Sequence, residues 1–329
     1  MSKRDEGGTR PIVISQGEPS GIGPEVAVKA FAALGGRIAG RPLRLIGSAE
    51  AFERAAAISG IDKRSLSPAI VETGYACEAD PGRPAARNAP GVIAAVEQGV
   101  RACERKEAAA LVTAPIQKSV LTQSGFGFPG HTEYLAHLSG AKHAVMMLAS
   151  SEITPPLRVV PFTIHIPLSD VFRHLNPSAI ADTAKIVLDA LIGDFGCSRP
   201  RLAIAGLNPH AGEAGTMGRE DADILAPAVA QLCSCGHDVQ GPLPADTMFH
   251  DEARRTYDAA LCMYHDQALI PIKTLAFWSG VNVTLGLPIV RTSPDHGTGL
   301  DLAGRGIANE KSMMAAIAMA AEIADRRGL

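Results

Sequence analysis

The segment Pro11-Ile-Val-Ile-Ser15 and the turn that follows it, Gly17-Glu-Pro-Ser-Gly-Ile-Gly23, determine how the chain begins to fold. The uncharged run predicts a buried strand. Pro24 followed by the acidic Glu25 predicts that a helix opens directly after the turn and runs to Leu34. The turn glycines are spaced G-x-x-x-G-x-G, which is not the Rossmann G-x-G-x-x-G fingerprint. A turn that needs positive φ and close packing explains them instead.

The same order of apolar run, loop and helix recurs along the chain. Further strands are predicted at residues 43–46, 109–113, 144–148, 158–163, 201–205 and 259–264. Further helices are predicted at residues 92–105, 179–191, 221–232 and 312–325. Strands that alternate with helices predict an α/β fold with a largely parallel sheet and helices on its faces.

Composition excludes several classes of protein. Hydrophobic residues make up 46% of the chain and aromatic residues only 4%, which predicts an aliphatic core in a globular protein. The net charge is −3, and no block of like charges forms the basic face that nucleic-acid binding needs. The six cysteines do not form a disulfide framework, and the Cys233–Cys235 pair lacks a second pair for a thiolate zinc site. No apolar segment approaches bilayer length, so we expect a cytoplasmic protein without a membrane partner.

Three histidines share one sequence context, because each follows an apolar run. The runs are Arg158-Val-Val-Pro-Phe-Thr-Ile-His165, Arg201-Leu-Ala-Ile-Ala-Gly-Leu-Asn-Pro-His210 and Ala259-Ala-Leu-Cys-Met-Tyr-His265. Ligands of open parallel sheets bind beyond the carboxyl ends of the strands, where the three imidazoles could meet. Three neutral imidazoles suit Zn, Co or Ni and leave positions open for substrate or water. The pattern predicts a catalytic metal site; the alternative is that each histidine merely caps a strand or satisfies a loop.

Two further groups of residues predict anion binding. His131 and Thr132 follow a Pro-Gly turn, and Thr132 is predicted as a helix N-cap, where backbone N–H groups favour an anion. Lys273, Asn282 and Arg291 are polar donors set among apolar, strand-like segments. The alternatives are a simple capped helix for the first group and solvated surface charge for the second.

The segment His296-Gly-Thr-Gly-Leu-Asp-Leu-Ala-Gly-Arg-Gly-Ile-Ala-Asn309 resembles the adenosine-binding loop of the isocitrate and isopropylmalate dehydrogenase superfamily. The resemblance implies a nicotinamide cofactor, with Asp301 at the adenosine ribose and Asn309 at the adenine. His296 and Gly297 open the same loop and are expected to contribute to it. A glycine-rich turn between a strand and a helix is the alternative.

Longer motifs cover nearly the whole chain, and together they resemble the 4-hydroxythreonine-4-phosphate dehydrogenase family of pyridoxal phosphate biosynthesis. They are Gly17-Glu-Pro-Ser-Gly-Ile-Gly-Pro-Glu25, Thr113-Ala-Pro-Ile-Gln-Lys118, Gly130-His-Thr-Glu133, Leu207-Asn-Pro-His-Ala-Gly-Glu213, Gly241-Pro-Leu-Pro-Ala-Asp-Thr247, Tyr264-His-Asp-Gln267 and Gly280-Val-Asn-Val-Thr-Leu-Gly-Leu-Pro-Ile-Val-Arg-Thr-Ser293. The resemblance implies an isocitrate/isopropylmalate dehydrogenase-like fold of two α/β domains with the active site in the cleft between them. We expect residues 1–125 with 292–329 to form one domain and residues 126–291 the other.

The family resemblance also implies a reaction, its cofactors and its site residues. The expected reaction is NAD- or NADP-dependent oxidation of 4-phosphohydroxy-L-threonine at C3, followed by loss of carbon dioxide. A divalent metal, Zn with Mg or Co as alternatives, and a homodimer with a shared active site are implied as well. The implied metal ligands are His165, His210 and His265, and the implied substrate contacts are His131, Thr132, Lys273, Asn282 and Arg291.

Several functional alternatives stay open at the level of sequence. The nearest is a related specificity, for threonate or erythronate 4-phosphate or for a ring dihydrodiol. A metal-dependent phosphohydrolase would need no nucleotide loop, and a sugar-phosphate sensor would need an appended module. The general base is unassigned, and Asp246 and Lys118 are candidates because their motifs are polar and lie in loops.

Overall fold

We describe the fold from a computed structural model, which covers residues 9–78, 80–128 and 130–329, with His131 described by its backbone alone. The described residues form two compact units. Unit 1 contains the residues up to Ala144 together with Leu287–Leu329, and unit 2 is Val145–Gly286. The sequence had placed these two boundaries at 125/126 and 291/292. Each unit is a sheet with helices packed against it, so the predicted α/β class is confirmed.

The sheet of unit 1 is almost entirely parallel. Its strands are β1 (Ile12–Ser15), β2 (Arg37–Ile38), β3 (Arg41–Gly47), β4 (Ile70–Glu72), β5 (Ala110–Thr113) and β12 (Arg291–Pro294). Their order is β2-β3-β1-β5-β12, and β4 pairs with β3. Only the short β2 is antiparallel to its neighbour among the described pairs of this unit. β1 lies at the centre and is completely buried, as its uncharged sequence predicts.

The helices of unit 1 cover this sheet. They are α1 (Gly23–Ala33), α2 (Ala49–Ile58), α3 (Ala89–Glu104), α4 (Lys118–Gln123), α5 (His131–Ser139) and α11 (Lys311–Arg326). Val96 and Val100 of α3 pack on Leu111 of β5 and on Leu135 of α5 in one buried cluster. The cluster is largely aliphatic, which agrees with the low aromatic content of the chain.

The turn after β1 packs tightly against the segment 296–309 of the same unit. The backbone N–H of Ile22 donates to the carbonyl oxygen of Thr298 at 2.8 Å. A Cβ on Gly21 would lie 2.6 Å from that oxygen, so no other residue fits there. Close packing therefore explains the glycine, as the sequence predicts.

The sheet of unit 2 combines parallel and antiparallel pairs. Its strands are β6 (Val145–Ser150), β7 (Leu157–Pro161), β8 (Arg201–Ala205), β9 (Asp238–Leu243), β10 (Ala259–Cys262) and β11 (Val281–Leu285). Their order is β11-β6-β7-β10-β8-β9. The four strands from β7 to β9 are parallel, whereas β6 is antiparallel to both of its neighbours. The sequence predicted this strand at 144–148 but not its reversed direction.

Five helices accompany the sheet of unit 2. They are α6 (Leu168–His174), α7 (Pro177–Gly193), α8 (Ala226–Ser234), α9 (Asp251–Arg254) and α10 (His265–Leu275). The helix predicted at 221–232 instead starts as a π-helical turn, Asp221–Leu225, which leads into α8. Ala268 and Ile272 of α10 pack on Val159 and Ala260 of the sheet. Within the described residues, no helix is both long enough and apolar enough to cross a membrane.

Candidate active site

The three predicted histidines follow three adjacent parallel strands. His165 lies after β7, His210 after β8 and His265 after β10, and β10 lies between the other two strands. The register aligns Cys262 of β10 with Pro161 of β7, so these two strands end at the same level. The predicted strands at 158–163 and 259–264 end two residues earlier than expected, and His265 is the first residue of α10. The imidazoles therefore lie beyond the strands, in the segments that follow β7 and β8 and at the start of α10.

His165 and His265 form a close pair. Their ring centroids are 5.7 Å apart. The loop after β7 stays bound to the segment after β10, because Thr163 donates to the carbonyl oxygen of Met263 through its hydroxyl at 2.7 Å and its N–H at 3.2 Å. Two imidazoles on one tetrahedral zinc, with Zn–N of about 2.0–2.1 Å, place their ring centroids about 5 Å apart. The observed pair is close to that spacing.

An acidic neighbour orients the ring of His265. Nδ1 of His265 lies 2.7 Å from Oδ1 of Asp266. A carboxylate accepts but does not donate, so the hydrogen bond places the proton on Nδ1 and leaves the lone pair on Nε2. Histidines that bind metals commonly pair their second nitrogen with a carboxylate in this way. The chemistry of the pair therefore fits a divalent metal.

His210 lies in an unusual left-handed turn. Six consecutive residues from His210 to Gly215 have positive φ, including 52° at His210 and 39° at Glu213. This conformation costs each residue with a side chain about 1–2 kcal/mol, and only Gly212 and Gly215 are exempt. Strain of this kind persists only where surrounding contacts hold it, and it concentrates at functional sites.

The side chain of Gln267 links the segments that precede His265 and His210. The side-chain oxygen of Gln267 accepts from the N–H of Met263 at 2.7 Å, and its amide donates to the carbonyl oxygen of Gly206 at 2.7 Å. Both bonds are buried. The segments that follow β10 and β8 are therefore held at a fixed separation.

The three imidazoles are not assembled into a finished ligand set. Across residues 9–78, 80–128 and 130–329, no three His, Cys, Asp or Glu side chains lie close enough together to hold a metal ion. His165 and His210 are exposed and His265 is half-buried. The structure thus brings two of the three predicted ligands together and leaves His210 apart from them.

Arg291 is a buried cation in unit 1. It is the first residue of β12 and is 2% exposed. Its guanidinium donates to the hydroxyl of Thr113 at the end of β5, with Nη2 2.6 Å and Nε 3.2 Å from Oγ1. Burial lowers the pKa of Arg291 to about 9. Burying a charged group costs hydration free energy. A buried cation is therefore typical of a group that binds an anion.

The other two donors predicted with Arg291 lie in unit 2. Lys273 is on helix α10, so the strand-like surroundings expected for it are wrong. The apolar residues near Lys273 recur at helical spacing and face the core from α10. Its Nζ lies 5.6 Å from the ring centroid of Phe277. Asn282 is half-buried on β11, paired with Leu148 of β6.

His131 and Thr132 open helix α5. The side chain of His131 lies outside the described residues. Gly130, with φ of −173°, occupies the N-cap position, so the prediction of Thr132 as N-cap is wrong by two positions and Thr132 lies in the first turn. A Cβ on Gly130 would lie 3.4 Å from Nζ of Lys118, which places this lysine beside the same turn. Asp246, the other candidate base, is exposed in the helical turn Ala245–Thr247 of unit 2.

The predicted cofactor loop is anchored on α1 within unit 1. Nζ of Lys29 donates to the carbonyl oxygens of Gly306 and Ala308 at 2.7 and 2.8 Å. The carboxylate of Glu25 accepts from the N–H of Ala308 at 2.9 Å and lies 3.1 Å from Nζ of Lys29. This buried ion pair therefore fixes the backbone of the loop.

The four cofactor residues named from the sequence lie along this loop. Asp301 is exposed in a turn, and the side chain of Asn309 accepts from the N–H of Lys311 at the start of α11. Nδ1 of His296 lies 2.9 Å from the carbonyl oxygen of Gly297. Asp301 and Asn309 leave polar groups at the loop surface, where a nucleotide could contact them.

Sequence reasoning missed four residues that support the site. Gln267 and Asp221 hold the histidine loops, and Glu25 and Lys29 hold the loop 296–309. Glu25 was noted as a helix-start signal and, like Gln267, as part of a motif, but neither was assigned a role. Their place in those motifs was the available signal, whereas their partners Ala308 and Gly206 are distant in sequence.

Comparison with known proteins gives a consistent result. The profile of the pyridoxal phosphate biosynthetic protein PdxA matches residues 40–320. A 4-hydroxythreonine-4-phosphate dehydrogenase of Paracoccus denitrificans is 51% identical over 97% of this chain and 99% of its own length. One from Roseobacter denitrificans is 52% identical over 97% of this chain and 98% of its own length.

Solved structures extend the likeness to the fold. A crystal structure of 4-hydroxythreonine-4-phosphate dehydrogenase from Klebsiella pneumoniae matches with a TM-score of 0.83 and 35% identity, covering 97% of this chain and 99% of that one. A terephthalate 1,2-cis-dihydrodiol dehydrogenase from Burkholderia xenovorans matches with a TM-score of 0.64 and 28% identity, covering 95% and 98%. A β-decarboxylating dehydrogenase from Thermococcus kodakarensis has a TM-score of 0.52 at 15% identity, covering 98% and 84%, which relates the folds alone.

Proposed function

Because the chain belongs to the PdxA family of pyridoxal phosphate biosynthetic proteins, we propose that it oxidises 4-phosphohydroxy-L-threonine with NAD or NADP. The C3–H electron pair leaves as hydride to the nicotinamide, the C3 hydroxyl loses its proton, and a ketone forms. The product, 2-amino-3-oxo-4-phosphooxybutanoate, then loses carbon dioxide to give 3-amino-2-oxopropyl phosphate. The observation that carries the proposal is the placement of three histidines after adjacent parallel strands. It is made in a chain about half identical in sequence to proteins named 4-hydroxythreonine-4-phosphate dehydrogenase.

A divalent metal held by His165, His210 and His265 is part of the proposal. The hydrogen bond from His265 to Asp266 and the 5.7 Å spacing of two rings support this ligand set. Zinc suits three imidazoles best, with cobalt or magnesium as alternatives. When bound, the metal would polarise the C3 hydroxyl and lower its pKa.

We assign the ends of the substrate to the predicted donors. Arg291 supplies a fixed, dry cation, and Thr113 orients its guanidinium. The N–H groups of the first turn of α5, with His131 and Thr132, favour an anion, and Lys118 adds a positive charge beside them. Lys273 and Asn282 complete the proposed set. Lys118 and Asp246 remain the candidates for the general base.

The cofactor is assigned to the loop 296–309. His296, Gly297, Asp301 and Asn309 are the proposed contacts, with Asp301 at the ribose and Asn309 at the adenine. The anchoring of this loop by Glu25 and Lys29 supports the assignment, because a preorganised loop binds a nucleotide at lower entropic cost.

We also propose that the protein is a cytoplasmic homodimer that shares its active sites between subunits. The end of α10 and the residues after it expose apolar side chains, including Phe277 at 59% and Trp278 at 49%. Exposed aromatic side chains grouped in this way are typical of an interface. Sedimentation at several protein concentrations would test the dimer.

A direct assay tests the substrate and separates it from its rivals. Absorbance of reduced nicotinamide is followed with 4-phosphohydroxythreonine, with threonate 4-phosphate and with a ring dihydrodiol, each with and without chelator. We expect a chelator-sensitive signal with the first substrate. The likeness to a dihydrodiol dehydrogenase makes the third compound a necessary comparison. A strong signal with either rival and none with the first would refute the proposed specificity.

A further inference from the structure

The left-handed turn that carries His210 needs an external support. Its residues would not adopt positive φ on their own, and the turn follows the end of β8 by only a few residues. The support must therefore hold the segment between β8 and His210, which is Gly206-Leu-Asn-Pro209.

The carboxylate of Asp221 supplies that support. One of its oxygens, Oδ1, accepts from the N–H of Leu207 at 2.8 Å. The other, Oδ2, accepts from the N–H of Asn208 at 3.1 Å and from its side-chain amide at 2.9 Å. Asp221 is 1% exposed, so both oxygens depend on these donors rather than on water.

The π-helical turn before α8 places Asp221 where it can reach this segment. Asp221 is the first residue of that turn, Asp221–Leu225. A Cβ on Gly212 would lie 3.3 Å from Oδ2 of Asp221 and 2.9 Å from the carbonyl oxygen of Gly218. The carboxylate thus lies between the segment that precedes the left-handed turn and the middle of that turn. π-turns are rare and frequently occur at functional sites.

We propose that Asp221 is a positioning residue for His210, which holds this imidazole ready to bind the metal. The inference rests on the proposed function, because it takes His210 as a metal ligand. Asp221 acts through the backbone N–H groups of Leu207 and Asn208 and through the side-chain amide of Asn208, and it does not itself touch the metal. Residues behind a metal ligand typically change metal affinity about 10- to 100-fold when they are replaced.

The test measures metal binding by the full chain without substrate. Co²⁺ alone is titrated into chelator-treated protein, and its visible absorption reports both the affinity and the coordination geometry. Asp221→Asn keeps the shape of the side chain but places an NH₂ group against N–H donors. We expect it to weaken Co²⁺ binding about 10- to 100-fold and to change the absorption spectrum.

Asp258→Asn is the matched control. Asp258 accepts hydrogen bonds from the N–H and guanidinium of Arg201, at the opposite end of the same strand β8. The control therefore disturbs an anchored carboxylate of the same unit without touching the His210 segment. We expect lower stability with unchanged Co²⁺ affinity and spectrum. Equal loss of Co²⁺ binding in both variants would overturn the specific role of Asp221.

His210→Ala separates this inference from the proposed function. Unchanged Co²⁺ binding by His210→Ala would overturn the metal assignment and the inference together. Weakened binding by His210→Ala with wild-type binding by Asp221→Asn would overturn the positioning role alone.

Asn208→Ala provides a second variant if Asp221→Asn does not fold. It removes the side-chain bonds to Asp221 and Glu220 and keeps the two backbone bonds. We expect a several-fold weaker Co²⁺ affinity, and an affinity equal to that of the wild type would overturn the proposal.

Discussion

The side-chain amide of Gln267, in the first turn of α10, donates to the carbonyl oxygen of Gly206, which lies in the loop after β8. The same side chain accepts from Met263. One glutamine thus sets the distance between the segment leading to His265 and the segment leading to His210. The arrangement of the histidines depends on this bond as well as on the order of the strands.

Replacing Gln267 with leucine should destabilise unit 2. The change leaves the N–H of Met263 and the carbonyl oxygen of Gly206 buried without their present partner, at about 1–3 kcal/mol for each group. Urea unfolding measures the loss. Gln240→Leu is the control, because the amide of Gln240 makes only a long, exposed bond of 3.4 Å to Thr256. Equal unfolding midpoints for the two variants would contradict the proposed role of Gln267.

Replacing Lys29 with methionine should weaken cofactor binding. Lys29 holds two carbonyl oxygens of the loop 296–309, so its loss frees the backbone of that loop. Hydrogen bonds to a charged group contribute about 1.5–3 kcal/mol, and loss of about 1.4 kcal/mol weakens binding tenfold. Calorimetric titration with NAD should therefore give a dissociation constant raised at least about tenfold.

The control for this experiment is Lys63→Met. Lys63 also pairs with a carboxylate in unit 1, that of Glu53, but both side chains are exposed. Its removal should leave NAD affinity unchanged, since exposed pairs contribute little. Wild-type affinity in Lys29→Met would show that the loop does not bind the nucleotide or does not need this anchor.

Glu18, in the turn after β1, should make stability depend on pH. The residue is 1% exposed, and burial raises its pKa above 4.5 against the opposing hydrogen bond from Ser20. A carboxyl with a raised pKa costs stability once pH exceeds its unfolded pKa, because the folded state resists ionisation. This loss of stability is absent below about pH 4.5 and develops as pH rises through the pKa that Glu18 has in the folded protein.

Glu18→Gln removes that cost and keeps an oxygen for the N–H of Ser20. The variant should unfold at a higher temperature than the wild type at pH 8, and the difference should shrink as pH falls towards 4.5. Thermal scans across this range make the comparison, with the exposed Glu53→Gln as reference. A difference that is independent of pH would argue against a raised pKa at Glu18.

Local sequence signals predicted the strands that position the candidate site. β1 and β8 were found because apolar runs end at clear turn residues, and three similar runs placed the histidines after adjacent strands. The strand β6 was predicted but its antiparallel direction was not, because an apolar run carries no information on strand direction. The left-handed turn at His210 was missed for a related reason. Its sequence contains only two glycines among six residues of positive φ, and the contacts that hold it come from Asp221.

Arg291→Met should weaken substrate binding more than it weakens the fold. A charge-assisted bond to a substrate anion is worth about 1.5–3 kcal/mol, so KM should rise roughly ten- to hundredfold. The burial that lowers the pKa of Arg291 to about 9 also penalises its charge in the folded state, so the loss of that charge recovers part of the cost. Arg41→Met is the control, because Arg41 is equally buried in unit 1 but bonds to Asp325. It should lower stability and leave KM unchanged.

The pH profile tests the charge of Arg291 itself. Burial lowers the pKa of Arg291 to about 9, which is below the usual range of arginine, so we expect the guanidinium to begin to lose its proton as pH rises past that value. In the wild type, kcat/KM reports the free enzyme and should fall across that pH. Arg291→Met should lack this fall, and any decline it shares with the wild type belongs to the substrate or the cofactor. Parallel profiles for the two proteins above pH 8 would contradict the lowered pKa and mean that Arg291 keeps its proton throughout that range.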